Sequence, residues 1–216
     1  MHTETAAWTR AVLAGIDLHP GARVLDMGSS TLHFRTVEQP HIEREVLAPL
    51  RARGAEIVHL DAKPAPGVDM VCDLDAADPG LAARLGEFAL VLLTGVLQFL
   101  RAPERAMDLA AGALAPGGHL LVHQPETARR GFDPVDHKLR LTPSEVAGAF
   151  ERRGLRCVRA DSIRIGDPRY YRGLLSRPSW IPVRGHWLPL PGVSEQVRRR
   201  VPALRWRQSC VLMRRP

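Results

Sequence analysis

The sequence has no asparagine, only two lysines, three cysteines and no long apolar run. Cys72, Cys157 and Cys210 each stand alone within an apolar stretch, so neither a disulfide framework nor a CxxC site is expected. We interpret them as reduced core thiols. The longest apolar stretch, residues 88–100, is about half the ~20 residues that cross a bilayer, and it contains Gln98. No membrane span is therefore expected.

The first ten residues lack the pattern of a secretory signal, in which a basic stretch precedes an apolar one. A cytoplasmic location is therefore expected. With 216 residues, of which 45% are hydrophobic and 25% charged, the chain has the composition of a single globular domain over residues 1–216.

Charge is distributed unevenly along the chain. Residues 1–150 carry 14 basic and 19 acidic residues, whereas residues 151–216 carry 16 arginines and 4 acids, a net charge of +12. An arginine-rich segment can bind nucleic acid or another acidic partner. A GC-rich genome also favours arginine over lysine and asparagine, so the arginines are weak evidence for a nucleic-acid partner.

Short apolar runs alternate with helical patterns along the first two thirds of the chain, which is typical of a parallel sheet covered by helices. Strands are predicted at residues 23–26, 56–61, 68–72, 88–93 and 119–123, with further candidates at 156–161 and 209–213. Helices are predicted at 42–53, 103–114 and 143–153, and residues 31–39 are predicted as an extra loop before the first of them. The third helix has the best-marked start, a capping box from Thr142 to Glu145.

The last two predicted strands are separated by residues 164–206, which contain no clear period. A structureless stretch of this length is uncommon unless it has a function. We interpret residues 164–206 as an inserted lid, arm or small subdomain. Its aromatic and arginine residues suit packing, a homodimer contact or stacking on a planar or anionic substrate.

Four consecutive strands end in acidic, polar or small residues. These residues are Asp26, Gly28, Ser29 and Ser30 after the first strand, Asp61 after the second, Asp73 and Leu74 after the third, and Thr94, Gly95 and Val96 after the fourth. Parallel strands place their carboxyl ends at one edge of the sheet, where such folds bind ligands. Asp61 is suited to accept hydrogen bonds from the two hydroxyls of a ribose.

The same blocks resemble a known family, the class I S-adenosylmethionine-dependent methyltransferases, in particular the small type 11 kind. The matching blocks are ARVLDMGSS, HLDAK, MVCDLD, the stretch from FALVLLTGVLQFL to PGGHLLVHQP, and DPVDHKLRLTPSEVAGAFERRGLRCVRADS. Together they span about residues 20–163. The resemblance implies a doubly wound α/β fold with a mostly parallel seven-stranded sheet of order 3-2-1-4-5-7-6, in which 209–213 is the antiparallel seventh strand.

The resemblance also implies S-adenosylmethionine as cofactor and a role for each matching residue. The methionine part of the cofactor would lie against Asp26, Gly28, Ser29 and Ser30. The ribose would be held by Asp61, the adenine ring would pack on Ala62, and the adenine edge would contact Asp73 and Leu74. The floor near the sulfonium would be lined by Thr94, Gly95 and Val96. No phosphate-binding GxGxxG or GxxxxGK loop is present, which agrees with a cofactor that has no phosphate.

The chain departs from the family pattern at two places. Ser30 and Leu32 stand where the family usually has glycines, so their side chains are expected to crowd the cofactor. Where many relatives have Glu-His, this chain has Gln98-Phe99, which supplies neither a general base nor a metal ligand. No metal site is expected.

Methyl transfer from a sulfonium needs alignment and a deprotonated nucleophile more than a fixed catalytic group. The candidate bases are His123, Glu126 and His137. The leading hypothesis is methyl transfer to a small-molecule acceptor. Two alternatives remain open: a protein of this fold that does not methylate, and an RNA methyltransferase that uses its arginine-rich C-terminal segment.

Overall fold

The protein is described by a computed structural model that covers residues 1–76, 85–127, 137, 139–166, 179–183, 186–190 and 206–216. The strands are β1 (Arg23–Met27), β2 (Glu56–Asp61), β3 (Met70–Val71), β4 (Phe88–Thr94), β5 (Leu114–Thr127), β6 (Arg156–Ile165), β7 (Ser179–Val183), β8 (His186–Leu190) and β9 (Trp206–Arg214). The helices are α1 (Thr3–Leu13), α2 (Pro40–Ile42), α3 (Ala48–Ala52), α4 (Pro103–Ala113) and α5 (Pro143–Glu151).

Seven strands form one sheet in the order β3-β2-β1-β4-β5-β9-β6. The pairs from β3 to β5 are parallel, and β9 runs antiparallel between β5 and β6. This confirms the predicted order 3-2-1-4-5-7-6, with β9 as the seventh strand. Most of residues 164–206 lie outside the described residues. Within that range β7 and β8 pair antiparallel in a separate two-stranded sheet, and the role of the insertion stays a prediction.

Alternating strand residues face two cores, one on each side of the sheet. Leu25 and Met27 of β1 pack with α4 and α5, whereas Val24 packs with α1 and the helical turns of residues 34–52. The alternation follows from the two-residue period of a strand. Cys72 and Cys210 are buried, as predicted, but Cys157 is exposed because it lies in the exposed first half of the edge strand β6.

Several predicted boundaries need correction. The strand expected at 68–72 is reduced to Met70–Val71, because residues 65–68 form a turn in which Val68 N–H bonds to the Ala65 carbonyl. The fifth strand is longer than 119–123, because it continues through a β-bulge near Gly117, which has φ +76°. The last two strands of the sheet also extend beyond the expected 156–161 and 209–213.

The helix expected at 42–53 begins earlier and is irregular. Two π-helical turns, Phe34–Glu38 and Glu43–Leu47, precede α2 and α3, so part of the loop expected at 31–39 is helical. Prolines 40 and 49 have no N–H group and cannot continue a regular α-helical hydrogen-bond ladder. The wider turns before them relieve this constraint, as in the bond from Gln39 N–H to the Phe34 carbonyl.

Helix α1 was not expected from the sequence. Its buried face includes Thr5 and Thr9 beside Ala6, Trp8 and Val12. The apolar stripe is therefore interrupted by hydroxyl groups, which weakens the periodic signal. In the part of the chain that the structure describes, no helix is both long and apolar enough to cross a membrane.

The capping box predicted before α5 is present and can be tested. The Thr142 hydroxyl accepts a hydrogen bond from Glu145 N–H at 3.3 Å, and the Glu145 carboxylate accepts one from Thr142 N–H at 2.7 Å. Thr142→Ala should lower the free energy of unfolding by about 1 kcal/mol in urea titrations, because it leaves a helix N-terminal donor unpaired. Thr142→Ser keeps the acceptor and should stay within about 0.5 kcal/mol of wild type; equal losses in the two variants would contradict the capping role.

Candidate functional site

The carboxyl ends of β1, β2, β3 and β4 meet at one edge of the sheet and border a cavity of about 750 Å³. This volume lies within the range of small-molecule and cofactor sites, roughly 300–1,000 Å³. All of the predicted cofactor-binding residues line this cavity: Asp26, Gly28, Ser29, Ser30, Asp61, Ala62, Asp73, Leu74, Thr94, Gly95 and Val96. The fold therefore brings together residues that the sequence places far apart.

The turn after β1 is tight and depends on Gly28. Gly28 has φ +72°, and the N–H groups of Gly28 and Ser29 both bond to the Leu60 carbonyl, at 2.8 and 2.9 Å. A Cβ atom at Gly28 would lie 2.2 Å from Cγ2 of Val96. A glycine is required because any side chain here would collide with the turn that follows β4.

Ser30 takes a backbone conformation that usually belongs to glycine. Its φ is +58°, which no other non-glycine residue of the described chain matches. The Ser30 N–H donates to the Asp61 carboxylate at 2.8 Å, and its side chain lines the cavity. Leu32 does not crowd the cavity: its side chain is 47% exposed, and its N–H bonds to the Pro66 carbonyl.

Asp61 is held in place by backbone donors. Oδ2 accepts the Ser30 N–H, and Oδ1 accepts the Lys63 N–H at 3.1 Å. A carboxylate offers about four lone-pair sites, so Asp61 keeps acceptor capacity toward the cavity. Its half-buried position suits recognition of paired hydroxyl groups.

A side-chain hydrogen bond joins two neighbouring strands beside the cavity. Asp26 and His59 are opposite each other in the parallel register of β1 and β2, and His59 Nδ1 lies 3.0 Å from Asp26 Oδ2. Both residues are buried. This hydrogen bond satisfies one oxygen of the buried Asp26 carboxylate, beside the turn at Gly28.

Sequence reasoning missed Arg35, which lies in the first π-helical turn and is only 2% exposed. Its guanidinium donates hydrogen bonds to the carbonyls of Ser29, Ser30 and Gly67, at 3.1, 2.6 and 2.7 Å. The signal that could have found it is an arginine next to apolar residues in a segment without a helical period.

The turn after β4 forms the opposite wall. Gly95 N–H bonds to the His123 carbonyl at 2.9 Å, and Gln98 Nε2 donates to the Gly95 carbonyl at 3.0 Å. Gln98 lines the cavity and is buried, and its Oε1 has no hydrogen-bond partner among the described residues. A buried amide oxygen without a partner is costly, so Oε1 is a candidate contact for a bound molecule.

Helix α1 and the residues before it supply a wall that the sequence did not reveal. Met1, His2 and Thr5 line the cavity beside His123. His123 is 3% exposed, its Nε2 lies 3.0 Å from the Thr9 hydroxyl, and the Trp8 ring packs edge-on against it with centroids 5.8 Å apart. The predicted base is therefore enclosed by α1.

Burial lowers the pKa of His123 to about 3, so the ring is neutral at neutral pH. A group with so low a pKa is a weak proton acceptor, and the geometry favours hydrogen bonding over general base catalysis. The Glu126 carboxylate accepts a hydrogen bond from the Ser162 hydroxyl. His137 is exposed, and its N–H bonds to the Gln98 carbonyl at 2.8 Å; among the described residues, neither side chain lines the cavity.

The close approach of Gly28 to Val96 predicts a specific loss of stability. Gly28→Ala should lower the free energy of unfolding by about 3 kcal/mol, because the positive φ strains an alanine and the added Cβ also overlaps the Val96 side chain. Gly21→Ala is a matched control, since Gly21 has φ +79° and nothing lies within 4 Å of its added Cβ; we expect a loss of about 1 kcal/mol there. Equal losses in urea titrations would contradict the overlap.

The neutral, buried His123 predicts a pH dependence of stability. Its pKa is about 3 in the folded protein and about 6.5 when unfolded. The unfolded state binds more protons between these values, so stability that is full above pH 6.5 should be lost as pH falls toward 3. Burial also lowers the pKa of His2 to about 4, which adds a slope of the same sign.

His123→Gln should therefore lose less stability than wild type between pH 7 and pH 4, because glutamine does not titrate. Urea unfolding at a series of pH values measures this. Parallel pH profiles for the two proteins would show that His123 does not contribute.

Comparison with known proteins agrees with this architecture. Residues 2–164 match a family model described as a methyltransferase domain. No curated protein matches the chain by sequence. A Burkholderia thailandensis 1,6-didemethyltoxoflavin-N1-methyltransferase, solved with 1,6-didemethyltoxoflavin and S-adenosylhomocysteine, is 16% identical with a TM-score of 0.56, over 99% of this chain and 77% of that chain.

Two further solved structures have the same fold. The [4+2]-cyclase SpnF is 14% identical with a TM-score of 0.59, over 99% of this chain and 79% of its own. A Haloferax volcanii putative methyltransferase, solved in complex with the Trm112 methyltransferase activator, is 17% identical with a TM-score of 0.57, over 99% of this chain and 91% of that chain. The family model spans most of the chain and confirms the resemblance that the chain's motifs indicated. This chain therefore belongs to the methyltransferase-domain family and is a class I S-adenosylmethionine-dependent methyltransferase.

Proposed function

We propose that this protein transfers the methyl group of S-adenosylmethionine to a small molecule bound in the same cavity. The observation that carries the proposal is the cavity of about 750 Å³, in which the acid-bearing strand ends form one side and α1 with His123 forms another. This volume lies in the upper part of the range for ligand sites, which supports a cofactor and a small acceptor sharing the cavity.

The residues present suit this cofactor chemically. Among the described lining residues, Asp26, Asp61, Asp73 and Asp75 are acidic and Lys63 is the only lysine or arginine. An acidic lining attracts a sulfonium cation and disfavours a phosphate. When bound, S-adenosylmethionine supplies an electrophilic methyl group on a positively charged sulfur.

We assign roles to the lining residues on this basis. Asp61 accepts hydrogen bonds from the ribose hydroxyls, Ala62 packs on the adenine, and Asp73 accepts from the adenine amino group beside the Leu74 backbone. The turn at Asp26, Gly28, Ser29 and Ser30 lies against the methionine part, and Thr94, Gly95 and Val96 form the floor near the sulfur. All of these residues line the same cavity, which supports the assignment.

Two buried polar atoms of the cavity wall indicate which chemical groups suit the methyl acceptor. Oε1 of Gln98 and Nδ1 of His123 have no hydrogen-bond partner among the described residues, and both residues line the cavity. Gln98 Oε1 can only accept a hydrogen bond, so an acceptor with a hydroxyl or N–H group suits this position. Since His123 is a weak base, the acceptor's nucleophilic atom is one that loses its proton easily or is already unprotonated.

A second candidate is a protein of this fold that catalyses another reaction. The fold is shared with the [4+2]-cyclase SpnF, and His123, the one candidate base that lines the cavity among the described residues, is a weak proton acceptor. The RNA alternative depends on the arginine-rich segment of residues 151–216, in which eight of the sixteen arginines lie outside the described residues, and it stays a prediction from sequence.

Calorimetric titration with S-adenosylhomocysteine tests the cofactor site without knowledge of the acceptor. We expect micromolar binding to the wild-type protein. Asp61→Asn should weaken binding by about ten- to a hundredfold, because hydrogen bonds to a charged carboxylate are replaced by neutral ones. Asp69→Asn is the matched control: Asp69 is an exposed carboxylate that accepts the His59 N–H at 2.8 Å and should leave the affinity unchanged.

A screen of small hydroxyl and amine compounds with S-adenosylmethionine, with S-adenosylhomocysteine release as readout, then tests methyl transfer. Release that depends on one compound class supports the proposal. Tight cofactor binding without release from any compound, or release only with RNA, would favour the other candidates. Absence of binding to wild-type protein would contradict the cofactor assignment.

A further inference from the structure

The turn after β1 keeps Gly28, but Ser30 and Leu32 stand where the family usually has further glycines. Ser30 holds φ +58°, which costs a non-glycine residue about 1 kcal/mol or more. Such a conformation persists only when surrounding contacts determine it. The contacts around Ser30 therefore identify what replaces the missing glycines.

Those contacts converge on Arg35. Its guanidinium bonds to the Ser29 and Ser30 carbonyls on one side and to the Gly67 carbonyl on the other. We refer to the Arg35 guanidinium and these three carbonyls as the Arg35 clamp. It joins the turn after β1 to the loop that follows β2, and the bond from Leu32 N–H to the Pro66 carbonyl adds a second connection.

The clamp is closely packed and has little freedom. Arg35 is only 2% exposed, and a Cβ atom at Gly67 would lie 2.8 Å from Arg35 Nη2 and 2.7 Å from Leu32 Cβ. A planar guanidinium can bond to carbonyls in two directions at once, which an ammonium group on a shorter stem cannot do with the same geometry. Arg35 thus fixes the directions of the Ser29 and Ser30 carbonyls.

The orientation extends to Asp61. The Ser29 carbonyl that Arg35 holds lies in the same planar peptide unit as the Ser30 N–H, which donates to Asp61 Oδ2 at 2.8 Å. The carboxylate is thereby aimed at the cavity, although Arg35 itself does not line it. Arg35 reaches the ligand site through the two lining residues whose carbonyls it holds, Ser29 and Ser30, and through Asp61.

We propose that Arg35 is a positioning residue for cofactor binding: its clamp holds Ser30 in the left-handed conformation that presents its N–H group to Asp61, in place of the missing motif glycines. This inference rests on the proposed cofactor site. It predicts that disturbing the clamp lowers cofactor affinity more than an equally disruptive change elsewhere.

The test is titration of S-adenosylhomocysteine into Arg35→Lys and Arg53→Lys, with thermal unfolding of each protein without ligand. Arg53 is a matched control because its guanidinium also bonds to backbone carbonyls, those of Leu13 and Ile16, and neither of these two residues lines the cavity. We expect both variants to unfold at a lower temperature. Only Arg35→Lys should lose affinity, by about tenfold.

A second pair of variants leaves Arg35 in the chain and decides the matter if Arg35→Lys does not fold. Gly67→Ala places a methyl group against the guanidinium and should also weaken binding severalfold. Gly86→Ala has the same backbone strain, with φ +79°, and nothing within 4 Å of the added Cβ. It should bind as wild type does.

The outcomes separate this inference from the proposed function. If the wild-type protein does not bind S-adenosylhomocysteine, the proposed cofactor site fails. If the wild-type protein binds and folded Arg35→Lys or Gly67→Ala binds equally well, the positioning role is overturned. Equal affinity losses in the Arg35 and Arg53 variants would also overturn it, because the effect would then follow general stability.

Discussion

The parallel register of β1 and β2 is the constraint on which the site depends. It sets Asp26 opposite His59 and Met27 opposite Leu60, so the two strands end at the same level. The turns that follow can then exchange hydrogen bonds, from Gly28 and Ser29 to the Leu60 carbonyl and from Ser30 to Asp61. A slip by one residue would reverse the faces of all these side chains and remove the carboxylate from the cavity.

The sequence was sufficient to predict the sheet and the acid-bearing side of the cavity. Its strands are nearly continuous apolar runs, which buried parallel strands require, and their polar ends mark one edge. The strand order came from the motif resemblance, since apolar runs do not reveal which strands are neighbours. Helix α5 was placed well because Thr142 and Glu145 form a local signal that needs no tertiary contact.

Other parts depend on contacts between segments far apart in the chain. The buried face of α1 uses Thr9, whose hydroxyl becomes acceptable there only because His123 supplies a partner. From the sequence alone, Arg35 is expected to be a surface residue, because its burial depends on three backbone carbonyls that only the fold brings around it. The crowding expected from Leu32 did not occur, because its backbone bond to Pro66 directs the side chain away from the cavity.

The place of β9 in the sheet has a consequence for the order of folding. β9 pairs with β5 on one side and with β6 on the other, and it carries Gln208, which lines the cavity. Until residues 206–214 have been synthesised, β5 and β6 both present unpaired edges, which are the surfaces most prone to wrong pairing. The two edges stay unpaired over this interval, and the ligand cavity is completed only when β9 enters between β5 and β6.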